Sequence, residues 1–93
     1  MNKTGRWINA WGQKVWQAGW ERWYAVDDSG EIYAYFKRPE KDGNMSGWAF
    51  YAKHPAGQVF ACVGEAQDDV EWDASLTPAA DMPDWQEPEE TND

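Results

Sequence analysis

Tryptophans and small polar residues at turns are the side chains of this sequence whose types and spacing could do chemistry. The stretch 12–24 contains Trp16, Trp20 and Trp23, and its frame from Gly12 onward is Gly-x-Lys-Val-x-x-x-Gly-Trp. Glycine permits a positive φ and close backbone approach, so it suits a place where a ring must be aimed rather than simply buried. The pattern predicts a platform of indole rings for a flat ligand.

A tryptophan-rich core is the alternative explanation of the same rings. Large aromatic side chains are commonly buried in small domains without any ligand. Both interpretations of the stretch 12–24 stay open at the level of sequence.

The second informative stretch is 70–81, where Trp72 precedes Ser75 and Thr77 by three and five residues. Aromatic rings provide stacking of ~1–3 kcal/mol per base, and hydroxyl groups provide directional hydrogen bonds. The sequence therefore predicts a site for a nucleotide-like small molecule. Its expected residues are Trp20, Trp72, Ser75 and Thr77, with Trp23 as a further member.

Residue patterns typical of enzymes are missing from the sequence. It has no HExxH, CxxC, GxGxxG or phosphate-loop pattern and no supported Ser/His/Asp set. Carboxylate pairs such as Asp68-Asp69 lie in polar runs, as is typical of solvated surface. His54 is the only histidine and has no neighbour with which to share a metal, so we interpret it as a turn residue. We expect no catalytic site, no metal and no cofactor.

The formal net charge of −9 is unevenly distributed. Residues 1–64 contain six acidic and eight basic residues, whereas residues 65–93 contain eleven acidic residues and no Lys or Arg. Nucleic acid is not an expected partner, because phosphate binding needs a basic patch. An acidic segment could instead dock a basic protein. The alternative function is therefore an acidic protein inhibitor, meaning an immunity protein or DNA mimic that blocks a basic nuclease or defence effector.

Cysteine usage and hydropathy favour a cytoplasmic protein without a membrane partner. Cys62 is the only cysteine, and its place in the apolar run Val59–Val63 predicts a small core residue. The first four residues are not followed by the apolar segment of a signal peptide. Apolar runs of about five residues are far below the ~20 that span a bilayer.

The element expected first along the chain is a short N-terminal helix. Thr4 is placed to cap it, and Trp7, Ile8 and Trp11 would share one side. Gly12 would end the helix as its left-handed cap residue.

Two hairpins are expected to form a small antiparallel sheet. The first joins 20–26 to 31–37 across the turn residues Asp27–Gly30, and the second joins 47–53 to 58–63 across His54–Gly57. Lys14–Gln17 reads as a further short strand, Thr77-Pro78 as a helix start, and Asp84-Trp85 as a short edge strand. The sequence predicts an α+β fold with one domain over 1–85 and a disordered acidic tail over 86–93. With 16% aromatic residues, a chain this small is also expected to be a homo-oligomer.

The frame from Gly12 to Trp20 resembles the start of small phage proteins that antagonise Thoeris immunity. Those proteins also show a tryptophan, Ala-Ser, Thr and Asp-Trp near their C terminus, and the similar residues here are Trp72, Ala74-Ser75, Thr77 and Asp84-Trp85. The two matches bracket roughly residues 5–85. Gln17 departs from the pattern, since the family usually has Arg at this place, and Glu21 and Arg22 replace small polar residues.

The resemblance implies a compact α+β protomer, homo-oligomeric, with ligand pockets between protomers. It implies a non-enzymatic function in the host cell cytoplasm. Such proteins sequester cyclic nucleotide signals such as glycocyclic ADP-ribose instead of degrading them.

Overall fold

Two antiparallel sheets pack against each other in the computed structural model, which describes residues 5–40, 47–49 and 54–87. The smaller sheet pairs two strands, β1 (Arg6–Ala10) and β2 (Gln13–Gln17). The larger sheet has the order β5–β4–β3–β6. Its strands are β3 (Trp23–Val26), β4 (Glu31–Tyr35), β5 (Phe60–Glu65) and β6 (Thr77–Pro78).

The predicted α+β fold is wrong, because the protein is mostly β. In the part of the chain that the structure describes, helical structure consists of two single 3₁₀ turns, Trp72–Ala74 and Ala79–Asp81. The second of these follows Thr77-Pro78, where the sequence predicted a helix start. Pro83 lies two residues after Asp81, so the turn cannot extend into a helix.

The expected N-terminal helix is strand β1. Trp7, Ile8 and Trp11 do have helical spacing, but Ile8 and Ala10 are fully buried and alternate with the less buried Trp7 and Asn9. This period of two is that of a strand with one covered face. The buried face of β1 and β2 lies on the larger sheet, and that contact outweighs any helical tendency of so short a segment.

Gly12 closes a hairpin rather than a helix. Trp11 and Gly12 have φ values of +50° and +88°, the two positive values of the tight turn that best fits the twist of paired strands. The Gly12 N–H donates to Asn9 Oδ1 at 2.7 Å. The Trp11 carbonyl accepts from the N–H groups of Gln67 and Asp68 at 2.9 and 3.1 Å, which fixes this turn to the segment after β5.

The turn predicted at Asp27–Gly30 is confirmed. It joins β3 to β4, with Trp23 opposite Tyr35 and Val26 opposite Ile32, and Gly30 has a φ of +89°. The strand predicted at 58–63 is β5, which begins two residues later and pairs with β4. Of its predicted partner 47–53, residues 47–49 are described and are not a strand, and the rest lie outside the described residues.

Hydrophobic residues fill both faces of the larger sheet. Between the two sheets lie Ile8, Ala10, Val15, Tyr24, Val26, Ile32 and Ala34, together with Ala79 and Met82. The opposite face carries Ala25, Tyr33 and Tyr35, covered by Trp48 and Ala49. The sequence predicted a sheet covered on both sides, but the first cover is the β1–β2 hairpin and not a helix.

Asp27 holds the segment 47–49 over the second face. Its buried carboxylate accepts from the Trp48 and Ala49 N–H groups at 2.8 and 3.3 Å. Burial raises the pKa of Asp27, although the two backbone hydrogen bonds oppose the rise. The Asp27 carboxylate therefore has a structural role, since it pairs the backbone N–H groups of both Trp48 and Ala49.

The chain returns to β1 near its end. Ile8 pairs with Asp84, and the N–H groups of Asn9 and Trp85 donate to the carbonyls of Pro83 and Trp7 at 2.8 and 3.0 Å. Where the sequence predicted a short edge strand at Asp84-Trp85, the structure has an isolated β-bridge at Asp84, beside β1. Of the predicted disordered tail, Gln86 and Glu87 are described, and residues 88–93 lie outside the described residues.

Two further expectations concern exposure. Cys62 lies on the edge strand β5 and is exposed, so the prediction of a core residue is wrong. No helix within residues 5–40, 47–49 and 54–87 is long and apolar enough to cross a membrane.

Candidate functional site

Trp72 and Ser75 lie together in a turn that contacts the hydrophobic clusters on both faces of the larger sheet. Trp72 is half-buried and packs against the hydrophobic residues on both faces of the larger sheet. Its carbonyl accepts from the Trp48 indole N–H at 2.8 Å and from the Ser75 hydroxyl at 2.7 Å. The buried Ser75 oxygen also accepts from the Val26 N–H at 2.8 Å. Both hydrogen-bonding directions of this hydroxyl are used inside the protein.

Trp20 and Thr77 lie at other places. Trp20 is half-buried at the edge of the core between the sheets. Thr77 donates its hydroxyl proton to the Ser75 carbonyl at 2.7 Å and lines a cleft beside Trp11. The structure thus brings Trp72 and Ser75 together, and neither of them lines the cleft that Trp23 borders.

Trp23 borders a surface cleft with a volume of about 490 Å³. This Trp23 cleft lies between the end of β2 and the turn after β6. Its lining residues are Gln17, Gly19, Glu21, Arg22, Trp23, Pro78, Ala79 and Ala80. It includes both the Gly19 turn and one of the predicted tryptophans.

Three side chains give the Trp23 cleft its chemistry. Arg22 is exposed, and the Trp23 ring is half-buried. The Arg38 guanidinium lies 5.4 Å from the centre of this ring but lines a different cleft, beside Trp48 and Leu76. Gln17 Oε1 is buried and has no hydrogen-bond partner among the described residues. A buried amide oxygen without a partner carries a desolvation cost that a ligand donor can remove. An indole ring, a positively charged side chain and a glutamine whose buried oxygen has no partner among the described residues therefore line one concavity.

The Glu21 side chain binds the turn at Gly19, which the sequence pattern predicted would position a tryptophan ring for a ligand. Its buried carboxylate accepts from the N–H groups of Ala18 and Gly19 at 3.1 and 2.8 Å. Consecutive backbone amides of this kind make an anion-binding concavity. Because a carboxylate of the protein fills it, the phosphates of a ligand in this cleft would have to meet Arg22 instead.

A second cleft of about 300 Å³, the Trp11 cleft, has different chemistry. It lies between the Trp11–Gly12 turn and the segment after β6. Its lining residues are Asn9, Trp11, Asp68, Thr77, Asp81, Met82 and Pro83. Its charged members are both acidic.

The outer face of the β1–β2 sheet carries a row of tryptophans. Trp7 and Trp16 lie opposite each other, with ring centres 5.1 Å apart in an edge-to-face arrangement, and are 49% and 40% exposed. The pairing of Ile8 with Asp84 places Trp85 opposite Trp7 on the other side of β1. Lys14 Nζ lies 4.8 Å from the centre of the Trp7 ring and also pairs with Glu87. Hydrogen bonding to Lys14 lowers the pKa of Glu87.

His54 is part of an aromatic stack. Its ring lies 5.1 Å from that of Phe60 and 6.0 Å from that of Tyr35, and its Nε2 donates to the Ala49 carbonyl. Among the described residues, no three His, Cys, Asp or Glu side chains gather as ligands of a metal. The structure gives His54 a packing role over the second face of the larger sheet.

No protein-family model, curated protein or solved structure matches this chain.

Sequence reasoning missed the residues that give the Trp23 cleft its polarity. Gln17 and Arg22 stand out in the sequence only as departures from a family pattern, although both flank the Gly19-Trp20 pair that marks the stretch. Their proximity to Pro78 and Ala79 depends on the pairing of β3 with β6, which brings together residues about 55 positions apart. No local pattern reports such a contact.

Proposed function

We propose that the protein is a non-enzymatic binding protein that sequesters a nucleotide-like small molecule in the Trp23 cleft. The observation that carries the proposal is the occurrence of an indole, an arginine and an unpaired buried amide oxygen in one cleft. Its volume of about 490 Å³ lies within the range of ~300–1,000 Å³ typical of small-molecule sites.

Each of these groups suits one part of a nucleotide. The Trp23 ring supplies a face on which a base can stack, with a free energy of ~1–3 kcal/mol. Arg22 can hold a phosphate through paired N–H donors. The Gln17 oxygen can accept from a base amine or a ribose hydroxyl.

The resemblance to phage proteins that antagonise Thoeris immunity gives the proposal its biological form. In that form the ligand is a cyclic nucleotide or ADP-ribose-derived immune signal, bound without turnover in the host cytoplasm. Gln17 stands where the family usually has Arg, and Arg22 follows three residues after Gly19. In this proposal the Arg22 guanidinium takes the role of the family's arginine, from a different position in the same cleft. Association of protomers would enclose the open side of the cleft.

Calorimetric titration with glycocyclic ADP-ribose, cyclic ADP-ribose and ADP-ribose tests the proposal. Arg22→Gln is expected to weaken binding by roughly 10- to 100-fold, because a charge-assisted hydrogen bond is worth ~1.5–3 kcal/mol. Lys37→Gln is the matched control. It removes the same charge from an exposed residue whose Nζ donates to the Ala56 carbonyl, away from the cleft.

Recovery of the ligand separates sequestration from catalysis. After denaturation of the complex, chromatography should return the added nucleotide unchanged and in stoichiometric amount. Absence of heat with all three nucleotides, equal losses in Arg22→Gln and Lys37→Gln, or a converted nucleotide would each contradict the proposal.

An acidic protein inhibitor is the second candidate, and the distribution of exposed charge favours it. All eight acidic residues between 65 and 87 are exposed, while Arg6 and Lys14 are paired with Asp84 and Glu87. Such a surface would speed the encounter with a basic partner and make the association depend on salt. Inhibition of a basic nuclease that falls steeply from 50 to 300 mM NaCl, with no nucleotide binding, would favour this function.

A further inference from the structure

We infer that the Trp11 cleft is a binding site for an organic cation, a guanidinium or alkylammonium group. The site is separate from the Trp23 cleft and goes beyond the nucleotide-binding function proposed for it. It combines the indole of Trp11, the carboxylates of Asp68 and Asp81, and the apolar surface of Met82 and Pro83 in a concavity of about 300 Å³.

The Trp11 ring is held at this place by its backbone. Trp11 has a φ of +50°, which a bulky residue rarely adopts, and its carbonyl accepts two hydrogen bonds from the segment 67–68. The Asn9 side-chain oxygen binds the next N–H of the turn, that of Gly12. The Asp68 carboxylate lies beside this turn. A Cβ atom added at Gly12 would be 3.0 Å from Asp68 Oδ1. The Trp11 ring and the Asp68 carboxylate are thus held near each other by the fold itself.

The electrostatics of the cleft select a positive ligand. The charged residues that line it are Asp68 and Asp81, both exposed, and none of its lining residues is basic. A cation over an indole face gains roughly 0.5–2 kcal/mol, and carboxylates at its rim add to this. An anion would meet repulsion from both carboxylates.

The apolar lining distinguishes an organic cation from a metal ion. Calcium and magnesium take six or more oxygen ligands, but much of this lining is indole, methionine and proline. Met82 is 5% exposed and forms part of the core between the sheets. A guanidinium or alkylammonium group has both N–H donors for the carboxylates and carbon or π surface for the ring.

The Thr77 hydroxyl leaves one further acceptor at the site. Its proton is donated to the Ser75 carbonyl, so the oxygen lone pairs remain to accept. A ligand with several N–H donors can therefore bind Thr77 as well as a carboxylate. This favours guanidinium, with five donors in a fixed plane, over a simple ammonium.

Titration with N-acetyl-arginine amide, followed by NMR of the tryptophan indole N–H signals, tests the inference. Its neutral isostere N-acetyl-citrulline amide is the matched control ligand. The arginine compound should shift the Trp11 signal in a saturable manner, and the citrulline compound should bind at least roughly fivefold more weakly, a difference of ~1 kcal/mol. Equal binding of the two compounds, or no saturable shift with either, would overturn the inference.

Variants of exposed acids keep the test independent of folding. Asp68→Asn and Asp81→Asn should each weaken binding of the arginine compound by roughly three- to tenfold. Asp69→Asn removes the same charge from the next exposed residue, which does not line the cleft, and should leave binding unchanged. If Asp69→Asn weakens binding as much as Asp68→Asn, general charge attraction explains the result and the site is refuted.

Two sources of the cation are separated by a third ligand. Agmatine is a free small molecule with one guanidinium and one amine, whereas blocked arginine stands for a side chain of a basic protein. A site for a free small cation should prefer agmatine, and a site for a protein side chain should bind the blocked arginine equally well or better. Arg22→Gln should leave both titrations unchanged, so failure here is distinguishable from failure at the Trp23 cleft.

Discussion

Asp27 combines a buried carboxylate with two backbone donors, and its pKa gives the fold a dependence on pH. Because burial raises the pKa of Asp27, the folded protein binds a proton more tightly than the unfolded chain does. The free energy of unfolding is then largest below the unfolded pKa of about 3.9 and falls as pH rises through the raised folded pKa. Asp27→Asn keeps the oxygen acceptor and removes the charge.

We therefore expect urea unfolding of Asp27→Asn to lose the part of the pH dependence that belongs to this group. At pH 7 the variant should be at least as stable as the wild type. Asp27→Ala leaves the Trp48 and Ala49 amides unpaired and should lower the free energy of unfolding by about 1–3 kcal/mol. An Asn variant that is less stable at pH 7 would show that the charge itself is favourable.

Ser75 offers a second residue-scale prediction. Its buried hydroxyl accepts from the Val26 N–H and donates to the Trp72 carbonyl, so Ser75→Ala should lower the free energy of unfolding by about 1–3 kcal/mol. Thr77→Val removes one hydrogen bond at a half-buried position and should cost less, roughly 0.5–1.5 kcal/mol. Calorimetric melting measures both. Loss of ligand binding in a Ser75→Ala protein that melts like the wild type would restore Ser75 to the ligand site.

At the scale of elements, the two hairpin turns allow a matched pair of substitutions. Gly30 and Gly12 have nearly equal φ values, +89° and +88°, but a methyl group at Gly30 meets open space. Gly30→Ala should therefore cost only the left-handed backbone, roughly 1–2 kcal/mol. At Gly12 the same methyl group would lie 3.0 Å from Asp68 Oδ1 and Gln67 Cβ, which should add roughly 1–3 kcal/mol.

Urea unfolding of the two alanine variants measures this difference. Equal losses would mean that the segment 67–68 yields without cost and does not brace the Trp11–Gly12 turn. The larger loss at Gly12 would also support the fixed geometry on which the cation site depends.

Secondary-structure elements were predictable where neighbouring residues in the sequence determine them. Asp27–Gly30 combines turn residues with flanking alternation, and the hairpin followed as expected. The prediction of a helix over residues 6–10 was wrong because the spacing of Trp7, Ile8 and Trp11 fits a helix as well as a strand in so short a segment. What decides between them is the burial of Ile8 against the larger sheet, and Trp11-Gly12 is an unusual pair for a tight hairpin turn.

At the scale of the whole molecule, association of protomers remains a prediction. Trp7, Trp16, Phe36 and Val59 are 49%, 40%, 39% and 53% exposed, which is apolar area that a second protomer could bury. Light scattering at micromolar concentration should give a multiple of 10.7 kDa. Trp16→Lys and Phe36→Lys should identify which surface associates. A mass of 10.7 kDa for the wild type would contradict the prediction.

Truncation after Gln86 separates the two candidate functions. It removes Glu87 and the acids beyond it, while the Trp23 cleft keeps all of its lining residues. Nucleotide affinity should therefore stay within about twofold, and stability should change by no more than ~1 kcal/mol through loss of the exposed Lys14–Glu87 pair. A truncated protein that loses its activity would favour the acidic inhibitor.

The candidate site was only partly predictable from the sequence. Trp23 and the Gly19 turn were singled out by residue type, and both border the cleft. Ser75 and Thr77 were chosen for hydroxyls that could face a ligand, yet both protons bind main-chain carbonyls. Whether a polar side chain faces inward or outward depends on strand pairings between distant residues, which spacing along the chain does not encode.

The pairing of residues 83–85 with β1 has a consequence for folding kinetics. Arg6 binds Asp84, 78 residues away, and the Trp85 N–H donates to the Trp7 carbonyl. Contacts of such high sequence separation slow folding, because the intervening chain must be ordered before they form. The β1–β2 hairpin is marginal in water by itself, so β1 is expected to become ordered together with the larger sheet and not ahead of it.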